Sequence, residues 1–188
     1  MARGDPPHRS VPAAVGSTAV TDRLVGMLAL FAYSFLSNVA LAVVPHEPAV
    51  LWAGPRLGIW STALAATAGT VLAACVDHAV FVPIVTRLEQ RRGVAPGLLQ
   101  RWFARAPFAI LAASGLTPLP FFPFKALAFT ACYPLGRYCG ALAAGRLPRY
   151  LLLAWLGVAV HLPTALIIAL FVLLMIPTVR MLFGPRHA

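Results

Sequence analysis

The sequence predicts an all-α polytopic membrane protein built as an inverted repeat, each copy a re-entrant helical hairpin plus a transmembrane helix. Three observations predict it. The 188 residues are 60% hydrophobic and only 11% charged, with a mean hydropathy of +0.83; that is more apolar surface than one soluble domain of this length can bury. Two apolar stretches are broken by prolines, at Pro45-His46-Glu47-Pro48 and at Pro118-Leu119-Pro120 with Pro123, where each ring removes a backbone donor and clashes with the preceding turn. Finally, residues 45–66 align without a gap on residues 123–144. Pro45 meets Pro123, Leu57-Gly58 meets Leu135-Gly136, Trp60 meets Tyr138, and Ala63-Leu64-Ala65-Ala66 meets Ala141-Leu142-Ala143-Ala144. In that alignment Glu47 falls on Lys125, so the copies carry opposite charges at one equivalent, proline-flanked position.

The elements follow in order. Residues 1–22, rich in Pro, Ala and polar residues, read as a disordered cytoplasmic tail. Leu24 to Val44 is an apolar run of about 31 Å if helical, too long for a signal-peptide core and sufficient for one crossing. Residues 48–58 are apolar but too short to span, which predicts an arm that dips in and returns. Ser61 to Val85 is a second crossing despite Asp77-His78 within it. Residues 86–106 carry Arg87, Arg91, Arg92, Arg101 and Arg105 against Glu89 alone, a cytoplasmic loop by the positive-inside rule. In it Leu98, Leu99, Trp102 and Phe103 recur at helical spacing, as on a surface-lying amphipathic helix.

The second copy spans about 107–162, after a first of about 24–85. Its apolar stretch from Pro107 to Tyr133, interrupted by Pro118, Pro120 and Pro123, predicts a second hairpin. Arg137, Arg146 and Arg149 read as a further basic, cytoplasmic stretch. Tyr150 to Ile176 is a last apolar run, broken at His161-Leu162-Pro163 into one kinked helix or a tight pair. The membrane domain so defined covers 23–180, with a C-terminal tail at 181–188.

The formal charge of +10 fits loops facing anionic headgroups, and no nucleic-acid-binding motif accompanies it. Cys75, Cys132 and Cys139 lack CxxC spacing and read as small core residues, with no metal site and no cofactor implied. Glu47 is the leading candidate for a functional group, a carboxylate inside the membrane that exchanges a proton or gates a site; the alternative is a cap on the helix that starts at Pro48. Lys125 is the matching candidate for binding a phosphate, the alternative being a side chain that snorkels to the surface. If the hairpin tips touch, Glu47 and Lys125 are expected to pair. Asp77 and His78 suggest a proton relay or a solvated helix end, and Arg56 a second phosphate ligand. Arg137 completes the candidate set, although with Arg146 and Arg149 it also reads as an ordinary positive-inside residue.

Pro45-His46-Glu47 with Ala53-Gly54, then Gly58, Gly69, Asp77 and Phe81, resembles the first half of the DedA family, also called the VTT or SNARE-associated-Golgi domain. Pro118 through Ala128, Pro134 and Arg137-Tyr138 resemble its second re-entrant motif. The resemblance covers roughly residues 36–157, and the chain departs from it where two arginines are usual, having Gly115 and Phe121. It therefore resembles a divergent member. The resemblance implies a multi-pass protein of the bacterial inner membrane that works as a lipid flippase or scramblase. Its partners would be phosphate headgroups, of undecaprenyl phosphate or a phospholipid, with possible proton coupling and a possible homo-oligomer. The competing expectation is a non-transporting scaffold for envelope maintenance. An enzyme is not expected, since HExxH, GxSxG and paired-Asp motifs are missing.

Overall fold

The computed structural model describes residues 14–39, 44–92, 98–117, 121–160 and 163–183. These form α1 (Ala14–Asn38), α2 (Glu47–Leu57), α3 (Ile59–Arg92), α4 (Leu98–Phe103), α5 (Pro107–Leu116), α6 (Phe122–Thr130), α7 (Leu135–Val160) and α8 (Thr164–Phe183), with no strand among the described residues. The described residues are helical with short connections, as the all-α expectation had it.

Local chemistry sets the helix ends. Pro48 lies in the first turn of α2 and Pro123 in that of α6, where a missing N–H costs nothing and the fixed φ suits a helix. Glu47 in the first turn of α2 and Arg56 in its last both favour the helix dipole. Gly58, at φ +88°, lets the chain reverse directly from α2 into α3. After α6 the Tyr133 N–H donates to the Ala128 carbonyl (2.9 Å) and the Cys132 N–H to that of Phe129 (3.1 Å). This closes the helix with a left-handed residue, Cys132, in the place glycine usually takes.

The contacts fix the helix directions. Arg23 of α1 reaches Ser61 near the start of α3 (3.0 Å) and the Phe31 carbonyl lies against Gly69 about two turns further along both helices, so α1 and α3 run parallel. α2 returns along α1, with Leu57 beside Gly26 and the Pro45 carbonyl accepting from the Tyr33 hydroxyl (3.0 Å). In the later part of the chain α5 runs parallel to α7: Phe108 faces Gly140, Ala112 faces Gly145, and Thr117 accepts from Arg149. α2 packs on α7 and α6 on α3, while α3 and α7 form an antiparallel pair: Cys75 meets Cys139, and further along α3 His78 meets the Tyr133 carbonyl just before α7. Glycine makes these close approaches: a Cβ at Gly69, Gly145 or Gly157 would collide with the carbonyl oxygen of Phe31, Ala112 or Leu51 respectively. Small residues at crossings are how helices pack where apolar burial gives little drive.

Two buried clusters result. One joins Val50, Ala53, Leu57, Ala63 and Ala66 to Tyr150 and Ala154; the other joins Phe103, Leu111 and Phe129 to Tyr138 and Leu142. Outside them the surface is apolar. Leu28 is 67% exposed, Leu36 70% and Trp60 66%, with Leu152, Trp155, Val172 and Leu173 similarly open, an area that needs a covering phase or partner. Among the described residues two helices, at Thr18–Asn38 and Ile59–Leu88, are long and apolar enough to cross a membrane.

Several boundaries differ from the expectation. Helix α1 begins at Ala14, inside the expected disordered tail, and ends at Asn38, short of the expected Val44; residues 40–43 lie outside the described residues. α3 extends to Arg92, carrying helix into the expected basic loop, because Arg87, Glu89, Gln90, Arg91 and Arg92 are all good helix formers. In that loop α4 places Phe103 in the interior against Tyr133, with Trp102 60% exposed. The largest difference is at α7. It begins at Leu135 and runs through Pro148, so Arg146 and Arg149 sit inside a long helix and not in a loop. The last apolar run is two helices, α7 and α8, and α8 extends to Phe183, into the expected tail. Pro118, Pro120 and His161 lie outside the described residues.

Candidate functional site

α1 ends, and α2 begins, beside the middle of the α3–α7 pair. Asp77 stands about 27 Å along α3 from its start and about 22 Å from its end; Arg146 stands about 16 and 21 Å from the ends of α7. A buried polar cluster forms there from residues far apart in sequence.

Asn38 is its hub. Its Nδ2 donates to the Ser34 carbonyl (2.8 Å) and reaches His46 Nδ1 (3.3 Å), while its Oδ1 accepts from Arg146 Nη1 (2.5 Å). With Nδ1 accepting, His46 donates through Nε2 to the Tyr150 hydroxyl (2.5 Å). Lys125 Nζ forms an ion pair with Asp77 and a long contact of 3.4 Å to the Asn38 carbonyl. The Arg146 guanidinium also stacks over Phe121, 4.9 Å from the ring centre, a planar contact that lysine would not reproduce. Asn38, His46, Asp77, Lys125 and Arg146 are all under 8% exposed.

A second ion pair borders the first. Arg149 Nη2 donates to Glu47 Oε1 (2.7 Å), and its Nη1 to the Thr117 carbonyl at the end of α5 (3.0 Å). This pair is half-buried. Each pair joins the first turn of a short helix, α2 or α6, to a long helix from the other part of the chain.

The expected Glu47–Lys125 pair is therefore not formed. Both residues are in the cluster, but Glu47 is held by Arg149 and Lys125 by Asp77, because each short helix packs on a long helix and not on the other short one. Of the two arginines read from sequence as ordinary loop residues, Arg146 is a buried member of the cluster and Arg149 holds Glu47 at its border. Asp77 is buried and paired, not a solvated helix end. His78 turns aside: its Nε2 donates to the Tyr133 carbonyl (2.8 Å) and its ring packs against Phe129 and Tyr138. Arg56 is exposed, 4.0 Å over the Trp52 ring and bonded to the Trp52 carbonyl, and Arg137 is exposed at the start of α7. Neither belongs to the buried cluster. Asn38, His46 and Tyr150 were missed, and the sequence signal for them is faint: an amide and an imidazole at the edges of apolar runs.

Asn38, Thr70, Asp77, Phe121, Lys125, Tyr138 and Arg146 line an internal cavity of ≈ 10 Å³. That is room for about one water. Among the described residues the fully buried Tyr138 hydroxyl has no hydrogen-bond partner, which such a water would satisfy. Two larger apolar troughs flank α2. One of ≈ 580 Å³ runs between α1 and α2 with Asp22, Arg23 and Arg56 among its lining. The other, ≈ 270 Å³, lies against α8, and the two share Tyr33, Ala49 and Trp52. No group of three or more His, Cys, Asp or Glu among the described residues is placed to hold a metal ion.

No protein-family model, no curated protein and no solved structure matches the chain.

Proposed function

We propose that this chain is a multi-pass protein of the bacterial inner membrane that moves a phosphate-bearing lipid, a phospholipid or undecaprenyl phosphate, between leaflets. The observation that carries the reading is the buried cluster of Lys125, Asp77, Arg146 and Asn38, halfway along α3 and α7, where two helical hairpins end. Ionisable groups at membrane depth are costly and mark substrate or proton paths. Here two cations, Lys125 and Arg146, face one buried carboxylate, Asp77, a positive excess suited to a phosphate. The helix directions support an inverted repeat, with α1–α2–α3 as one copy and α5–α6–α7 as the other, turned over. In such proteins the site lies at the midplane between copies and transport is a rocking of one against the other.

In this account the ≈ 10 Å³ cavity belongs to an occluded state. A phosphate displaces Asp77 from Lys125 and takes Arg146 as a second, planar ligand, while the lipid chain lies in the trough between α1 and α2. Arg23 and Arg56 meet the headgroup at the membrane surface.

The second reading is a static scaffold. The small cavity and the completed ion pairs favour it, because they are also what a polar brace requires. Reconstitution into liposomes separates the two. Labelled phospholipid or polyprenyl phosphate should cross faster than in protein-free vesicles, and Lys125→Ala and Arg146→Ala should each slow it where Arg137→Ala does not. Crossing no faster than in protein-free vesicles for both lipids would sink the transporter and leave the scaffold.

A further inference from the structure

Cys75 and Cys139 lie far apart in sequence, on α3 and α7, yet their sulfurs are 3.2 Å apart. Both are free thiols and both are half-buried. A disulfide needs the sulfurs at about 2.05 Å, so roughly 1.1 Å of closure separates contact from bond, a movement within side-chain torsions. The third cysteine, Cys132, is exposed and 3.4 Å from the Thr86 hydroxyl, on the turn after α6. The contact is placed where it matters. The residues preceding the two cysteines, Ala74 and Tyr138, line the polar cavity, and α3 and α7 belong to the two different parts of the chain.

We propose that Cys75 and Cys139 form a dithiol modification site whose oxidation to a disulfide staples α3 to α7 beside the polar cluster. The co-reactant is a small uncharged two-electron acceptor of the azo class, able to enter an apolar zone. One sulfur adds to the N=N bond; the other then attacks that sulfur and expels the hydrazine. Two S–H bonds break, one S–S bond forms, and both protons and the electron pair end on the two nitrogens. The staple spans the seam across which the two copies would rock. Its effect on transport rests on the transporter reading; its formation does not.

The full chain in lipid nanodiscs, treated with diamide and then denatured, is the test. Maleimide-polyethylene glycol should add three tags before oxidation and one after, with dithiothreitol restoring three. Peptide mass spectrometry should find Cys75 linked to Cys139, Cys132→Ser should leave the linkage intact, and Cys75→Ser should abolish it. Three tags after diamide, or a linkage through Cys132, would overturn the site. In liposomes, loss of lipid crossing on oxidation and its return with dithiothreitol extends the site to control of transport. A protein that forms the Cys75–Cys139 disulfide yet moves no lipid in either redox state refutes the transporter reading and leaves the dithiol site standing.

Discussion

The two ion pairs follow one plan and differ in two respects. Lys125–Asp77 and Glu47–Arg149 each bind the first turn of a short helix to a long helix of the other part of the chain, but the short helix supplies the cation in one and the anion in the other. Their surroundings differ as well: the side chains of the first pair are 5% and 2% exposed, and those of the second 21% and 25%. The difference teaches which contact holds and which yields. Removing one partner of a buried pair strands an uncompensated charge in low dielectric, whereas a half-exposed pair keeps water as a substitute. The Lys125 end is a lock and the Glu47 end a latch.

Breaking the lock gives the largest expected effect. Lys125→Met should lower stability in detergent by about 3–5 kcal/mol, and adding Asp77→Leu should restore much of it, since an apolar pair of similar size replaces the stranded charge. Thermal unfolding of the three variants checks this; a double mutant no better than the single would deny the pairing. Next comes Asn38→Leu, which takes the acceptor from buried Arg146 and the donor from His46. A loss of about 1.5–3 kcal/mol follows from hydrogen bonds to a charged group, and a loss under half of that would show the hub to be dispensable.

The latch is weaker. Glu47→Gln and Arg149→Met should each cost about 1 kcal/mol, with the loss shrinking at high salt because the pair is partly solvated. A double-mutant cycle sharpens the comparison further. Glu47 with Arg149 should show the larger coupling, and Glu47 with Lys125 should add within about 0.5 kcal/mol. The reverse order would restore the pairing that the internal repeat suggested.

That suggestion shows how far the sequence reaches. Pro48 and Pro123 located the starts of α2 and α6. Glu47, Lys125 and Asp77 were legible as charges too costly to leave inside apolar runs without a reason. Arg146 and Arg149 were not legible, because arginine near a proline in a basic stretch looks the same in a loop as in a helix. Only the packing of α2 and α5 against α7 distinguishes them. The cysteines illustrate the same limit: spacing along the chain said nothing of a contact made across two helices.

The sequence by itself determined the all-helical class, the apolar surface and the starts of α2 and α6, because these follow from composition and from proline acting within a few residues. The tertiary structure decided who meets whom. Glu47 and Lys125 fall on each other when residues 45–66 are aligned on 123–144, and that alignment alone would pair them. Instead the carbonyls of Ala112 and Leu51 lie close against Gly145 and Gly157 on α7, docking the helices so that each short-helix charge faces a long helix. Partners in a low-dielectric interior are chosen by which backbones can come close, and that is a property of surfaces brought together from the whole chain.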